Sequence, residues 1–233
     1  LADGQDSIKA RLQQPPIRKQ VTDHIIARLK KRKLKHLNYA VVAYFAPDTL
    51  YNGKSIEQIN LMKGRKHKVK AEAETVMDIM MQGGASAVFH GMSEDDIKRI
   101  MQYPFNMFAS DATIRTLGLG MPHPRGYGTN ARVLSKYVKE EKIISLEEAI
   151  RRMTSLPAQK FQLTSRGLLR EGYAADIVIF DEKEVKDIST FEKPHAYSKG
   201  FHFVIVNGVL TVDNEKHLGV RAGQALFGPG FIK

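Results

Sequence analysis

The chain has 233 residues, 42% hydrophobic and 26% charged, the composition of a globular protein with room for one large domain or two small ones. Cysteine is absent, which excludes disulfides and thiolate metal sites within the chain and points to a reducing, cytoplasmic setting; no apolar run approaches the ~20 residues of a transmembrane helix. The net charge of +11 invites a nucleic-acid reading, but the densest basic run, Arg28 to Lys35, has no interleaved aromatics for base stacking and overlies Ile25, Ile26, Leu29 and Leu37, so a solvated helix face and no nucleic-acid partner are expected.

Residues 6–35 read as helix, interrupted at Pro15-Pro16. Tyr39 to Phe45 is a short apolar, β-rich run and reads as a buried strand. A turn-rich loop follows, and Ser55 with Gln58 forms a capping-box signature for the next helix. Gly53-Lys54-Ser55 hints at a phosphate loop, but that motif needs Gly at position 48, where Asp48 stands. Glu72 to Met81 is a further helix, stopped by Gly83-Gly84.

Ala85 to His90 is a second apolar run. It leads into Ser93-Glu94-Asp95-Asp96, an N-cap followed by acids in the first helical turn. Asn106 to Ser110 reads as a third short strand ending at Asp111. A Gly- and Pro-rich loop from Gly118 to Gly128 comes next, then a helix over 129–137 and another capped by Ser145 and Glu148. Residues 39–155 thus alternate strand, loop and helix three times, the pattern of parallel βα units. Beyond them, Ala175 to Asp181 and Phe201 to Val206 are β-rich, and Asn207-Gly208 is a strong hairpin signal.

Metal-ligand spacings such as H-x-H or H-E-x-x-H do not occur, and the eight histidines are dispersed. Asp111 and His90 each stand at the end of an expected strand, where a barrel places catalytic groups; a turn or capping role is equally open to each. Arg125 could clamp a carboxylate with two parallel hydrogen bonds, or be a surface arginine in an ordered loop.

Taken together, these segments resemble the N-acyl-D-amino-acid deacylases, a family of metal-dependent amidohydrolases. His90 to Asp96 is similar to their HGMSEED segment, Ser110-Asp111 to their SDG, and Pro122 to Gly128 to their PHPRxYG. Ser145 to Ala158 is similar to their SLEEAVRKMTSLPA, Gly167 to Asp181 to their G-x-I/L-x-x-G-x-x-ADLVVFD run, and Val206-Asn207-Gly208 to the VNG that closes many amidohydrolases. The likeness is strong from about Ala85 onward and weaker before it. Ala112 departs from the family's glycine.

The resemblance implies an α/β fold: a partial (β/α)8 barrel supplying the last three βα units within residues 1–165, plus part of a small antiparallel β-sandwich in 166–233. The three early strands would then be adjacent and parallel. It implies zinc, with Asp111 touching the metal and serving as general base and acid, while the remaining ligands belong to an upstream half outside this chain. It implies an N-acyl-D-amino-acid substrate contacted by His90, His123, Arg125 and Tyr127. The chain begins without an initiator Met and is expected to be a segment of a longer protein, inactive alone and prone to pair with its missing half or with itself. With Asp111 as its one placed ligand, the isolated chain is expected to bind zinc weakly. A cyclic amidohydrolase of hydantoinase or dihydroorotase type, or a non-catalytic assembly module, are the competing readings.

Overall fold

The computed structural model describes residues 4–114 and 116–230, which form two compact units: residues 4–91 with 116–123, and residues 92–114 with 124–230.

The first unit opens with α1 (Gly4–Leu12) and α2 (Pro15–Lys31). Pro15 and Pro16 fall in the first turn of α2, where a missing N–H costs nothing. Leu29 is buried beneath an otherwise exposed basic run, the arrangement of a solvated helix face. Then follow β1 (Ala40–Tyr44), a 3-10 turn at Thr49–Tyr51, α3 (Ile56–Met62), α4 (Val69–Met81) and β2 (Ser86–Phe89). The expected capping box is formed: Ser55 Oγ accepts from the Gln58 N–H at 3.1 Å, and Gln58 Oε1 accepts from the Ser55 N–H at 2.8 Å. Leu29, Leu37, Val42, Phe45, Ile56, Ile59 and Ile79 make the core of this unit.

The strands differ from the sequence expectation. β1 and β2 pair antiparallel, with Ala40 opposite Phe89 and Val42 opposite Ala87, where parallel βα units were expected. Among the described residues β1 and β2 form a two-stranded sheet of their own, with no third strand for either to join in parallel, and the antiparallel ladder is the more stable per residue. Asn106 to Ser110 is no strand at all. The Asn106 N–H bonds back to the Tyr103 carbonyl and the Phe108 N–H to the Arg152 carbonyl, rather than to a ladder.

The second unit contains α5 (Glu94–Met101), α6 (Arg125–Arg132) continuing as a π-helical stretch Val133–Glu140, α7 (Leu146–Met153) and α8 (Ser155–Lys160). The π stretch carries Lys136 and Tyr137, whose side chains both bond to Glu94 at the start of α5. After α8 comes a four-stranded antiparallel sheet in sequence order: β3 (Ile177–Phe180), β4 (Phe201–Val206), β5 (Val209–Asp213) and β6 (Lys216–His217). Asn207 and Gly208 have φ of 50° and 79°, so the β4–β5 hairpin turns where the sequence indicates, on two left-handed residues. Among the described residues no helix is long and apolar enough to cross a membrane.

One buried charge organises this unit. Arg152 on α7 is 2% exposed. Its Nη1 donates to the Met101 carbonyl at the end of α5 (2.5 Å) and to Asn106 Oδ1 (2.8 Å), and its Nε donates to Glu148 Oε1 (2.7 Å). Arg151 adds two further bonds to Glu148, at 2.7 and 2.8 Å. Hydrogen bonds from Arg151, then from Arg152, lower the Glu148 carboxyl pKa to about 2. A lowered carboxylate stabilises the fold above its unfolded pKa, near 4.3, and that contribution is lost as pH falls towards the folded value. Glu148→Gln is therefore expected to be less stable than the native chain at neutral pH and to approach it between about pH 4 and pH 2, where the native carboxylate takes up its proton; urea midpoints measured across that range check this.

Candidate functional site

Asp111 sits in the loop after Arg152's anchoring contacts, and its backbone is left-handed, with φ of 46°. An aspartate tolerates this region better than most residues. The left-handed position is Asp111 itself and not Ala112, so the departure from the family's glycine leaves this turn without an added positive φ.

Arg125 opens α6, and its guanidinium grips Asp111 twice. Nη2 lies 2.7 Å from Oδ2, and Nε donates to the Asp111 carbonyl at 2.9 Å. The Asp111 side chain is 84% exposed, so this ion pair is worth at most about 1 kcal/mol in water. It can hold the loop in place and still yield to a competing carboxylate. The end of the expected Gly- and Pro-rich loop is helical: from Arg125 onward the segment belongs to α6.

Tyr127, also on α6, is fixed from the segment 194–198. Its hydroxyl bonds to His195 Nδ1 at 3.0 Å, its ring meets those of His195 and Tyr197 edge-on, and its carbonyl accepts from Ser198 Oγ at 3.0 Å. His195 was not singled out from the sequence. A lone histidine after a proline, it lies outside every motif segment and carries no distinguishing signal.

α6 rests against Asp187 through Gly128. A Cβ built on Gly128 would stand 2.0 Å from Asp187 Oδ1. Burial raises the Asp187 carboxyl pKa above its ordinary value, and the Ser189 N–H and the Arg132 charge offset part of that. The second unit thus brings Asp111 and Arg125 into direct contact, while Tyr127, two residues further along α6, packs against the segment 195–198.

His90 and His123 belong to the first unit. His90 is exposed, and its N–H extends the β1–β2 ladder to the Tyr39 carbonyl at 2.8 Å. His123 follows a segment laid along β1: the Met121 N–H donates to the Ala43 carbonyl at 2.7 Å, and Gly120 has φ of 68° with its Cβ position 2.7 Å from that oxygen. Only glycine fits there.

A catalytic zinc takes about three protein ligands, and Asp111 can supply one. The residue type and its loop position fit a single carboxylate contribution and no more. Among the described residues, the one cluster of three or more metal-type donors is elsewhere, at His36, Glu57, His67 and Glu72.

Residues 23–212 match the model of the amidohydrolase family. The chain is 43% identical to an N-acyl-D-aspartate deacylase of Alcaligenes xylosoxydans xylosoxydans over 145 residues, which is 61% of this chain and 28% of that protein. It is 31% identical to a D-aminoacylase of the same organism over 85% of this chain and 39% of that protein. Among solved structures it is similar to an N-acyl-D-glutamate deacylase from Bordetella bronchiseptica complexed with zinc and a phosphonate mimic of the tetrahedral intermediate. That likeness has a TM-score of 0.66 at 33% identity and covers 75% of this chain and 35% of the other. The chain thus spans well under half the length of these relatives.

Gly128→Ala tests the seat of α6. Alanine in place of glycine within a helix normally stabilises by about 1 kcal/mol. Here the added methyl meets the buried Asp187 carboxylate, so a loss of about 1–3 kcal/mol is expected, read from denaturant midpoints at constant slope.

Proposed function

We propose, from the premise that this chain belongs to the amidohydrolase family, that it is the C-terminal part of a metal-dependent deacylase of N-acyl-D-amino acids, and that it acts only together with an upstream half. In that whole protein, residues 1–165 would contribute the last units of a (β/α)8 barrel, and 166–233 part of the β-sandwich. The antiparallel β1–β2 pairing of this chain would have to open for its strands to enter a parallel barrel. The observation that carries the functional reading is the Asp111–Arg125 pair: a carboxylate presented in a left-handed turn and held by a guanidinium at a helix start.

In this reading Asp111 is the general base and acid. It accepts a proton from the water that attacks the amide carbonyl. It then delivers that proton to the nitrogen as the carbon–nitrogen bond breaks, releasing a carboxylate and a D-amino acid. Zinc, held by Asp111 and by ligands of the upstream half, would polarise the carbonyl and acidify the attacking water.

Arg125 has two successive partners in this scheme. Without substrate it steadies Asp111 through a weak, exposed pair. With substrate, the α-carboxylate of the acyl amino acid competes for the same guanidinium, and a two-pronged contact there would fix the D-configured carbon relative to the amide. Tyr127, braced by His195, stands on the same helix as a second substrate contact.

The complete protein tests this. Asp111→Asn keeps the size and a metal-facing oxygen but cannot take the proton at neutral pH, so turnover of N-acetyl-D-amino acids is expected to fall by roughly 10²–10⁴-fold with most of the zinc retained. Near-normal turnover in that variant would remove Asp111 from the chemistry. Arg125→Ala is expected to raise KM more than it lowers kcat, and a loss confined to kcat would leave Arg125 with Asp111 alone.

A further inference from the structure

Glu72 on α4 is completely buried. Its Oε2 accepts the Leu37 N–H at 2.7 Å, and its Oε1 lies 2.5 Å from His36 Nδ1. Glu57 on α3 reaches the same place: its Oε1 is 2.5 Å from His67 Nε2 and 3.8 Å from His36 Nδ1. The two imidazoles stack, with centroids 4.0 Å apart and planes 18° from parallel. Four donor atoms, contributed from positions 36, 57, 67 and 72, lie within 4.8 Å of one another.

Charge decides what such a cluster takes. Two carboxylates, one of them fully buried, call for two positive charges, because an uncompensated buried carboxylate is costly. Two protons can provide them, but they would make two imidazolium rings stacked face to face, like charge on like charge. One divalent cation provides the same total with both rings neutral and its charge central. A tetrahedral zinc with bonds of about 2.1 Å sets its ligand atoms about 3.4 Å apart. The donor atoms lie from 2.5 Å to no more than 4.8 Å apart, a range that spans this value. Glu72 is already oriented by the Leu37 N–H, the kind of outer hydrogen bond that fixes a ligating carboxylate. Imidazole with carboxylate selects zinc-type ions over calcium or magnesium, which favour all-oxygen shells. The exposed Lys66 and Lys68 that flank His67 in sequence oppose a cation only weakly, through water.

We infer that His36, Glu57, His67 and Glu72 form a structural binding site for one divalent transition-metal ion of zinc type, clamping α3 and α4 to the segment between α2 and β1. The site is separate from Asp111 and independent of the deacylase reading. It reverses the expectation that this chain binds zinc weakly, because the relevant histidines are distant in sequence and meet only in the fold.

The test uses the 233-residue chain, stripped with chelator and titrated with ZnCl2. Expected are one tight equivalent of zinc, release of protons on binding seen as a buffer-dependent heat, and a zinc-dependent rise in Tm. His67→Ala and Glu57→Gln alter the more exposed pair and should each weaken binding at least about 100-fold, with helix content by circular dichroism unchanged. Asp111→Asn should retain the tight equivalent. Co2+ in place of zinc should give the visible absorption of a tetrahedral site in the native chain and lose it in His67→Ala. Absence of a tight equivalent in the native chain, or undiminished zinc affinity in both His67→Ala and Glu57→Gln, overturns the proposal.

Discussion

A guanidinium withdrawn from water must have its hydrogen bonds satisfied, and Arg152 meets that demand with groups that would otherwise have no reason to be near one another. Its partners are the last turn of α5, the Asn106 side chain and Glu148 one turn back on its own helix. The backbone carbonyl of Arg152 also accepts the Phe108 N–H, at 3.4 Å, and Phe108 packs on the core of the second unit. The segment from Met101 to Phe108 is thereby pinned at three points, and Asp111 emerges three residues later. Removing one partner of such a network leaves a charge stranded in the interior, a penalty of about 3–5 kcal/mol. The position of the candidate catalytic carboxylate is therefore inherited from a buried arginine on another helix.

Helix ends and the late hairpin were the most legible parts of the sequence. Ser55, Ser93 and Ser145 each cap the helix they precede, and Asn207-Gly208 turns the hairpin, because these signals depend on two to four neighbouring residues and the same local geometry satisfies them in any fold. Strand direction was not legible. Tyr39 to Phe45 and Ala85 to Phe89 announce strands by being apolar and β-branched, but nothing local to either run states which way the other lies. Asn106 to Ser110 failed for a different reason: the Asn106 side chain and the Phe108 N–H bond to Arg152, a residue about forty positions away.

The site shows the same division. Asp111 and Arg125 could be picked out because each stands in a motif whose neighbours are distinctive, and the structure brings the two into direct contact. His195 could not, since its role is to brace Tyr127 across a long separation in sequence. The grouping of His36 with His67 was equally hidden, as each is an isolated histidine with no nearby partner in the chain. What links them is the buried carboxylate of Glu72, and a glutamate inside an amphipathic helix gives no sign that it will face inward.

The β1–β2 ribbon has a consequence for the order in which the chain assembles. The β4–β5 hairpin closes on a two-residue turn, whereas pairing Tyr44 with Ser86 closes a loop of about forty residues. For flexible loops that difference costs on the order of 3 kcal/mol of chain entropy, more than so short a ladder can be expected to return. The ribbon can form early only if the intervening chain is no longer a flexible loop, that is, once α3 and α4 have condensed and drawn the strand ends together. The hairpin is a self-sufficient nucleus, while the ribbon is a late product that depends on its own connection.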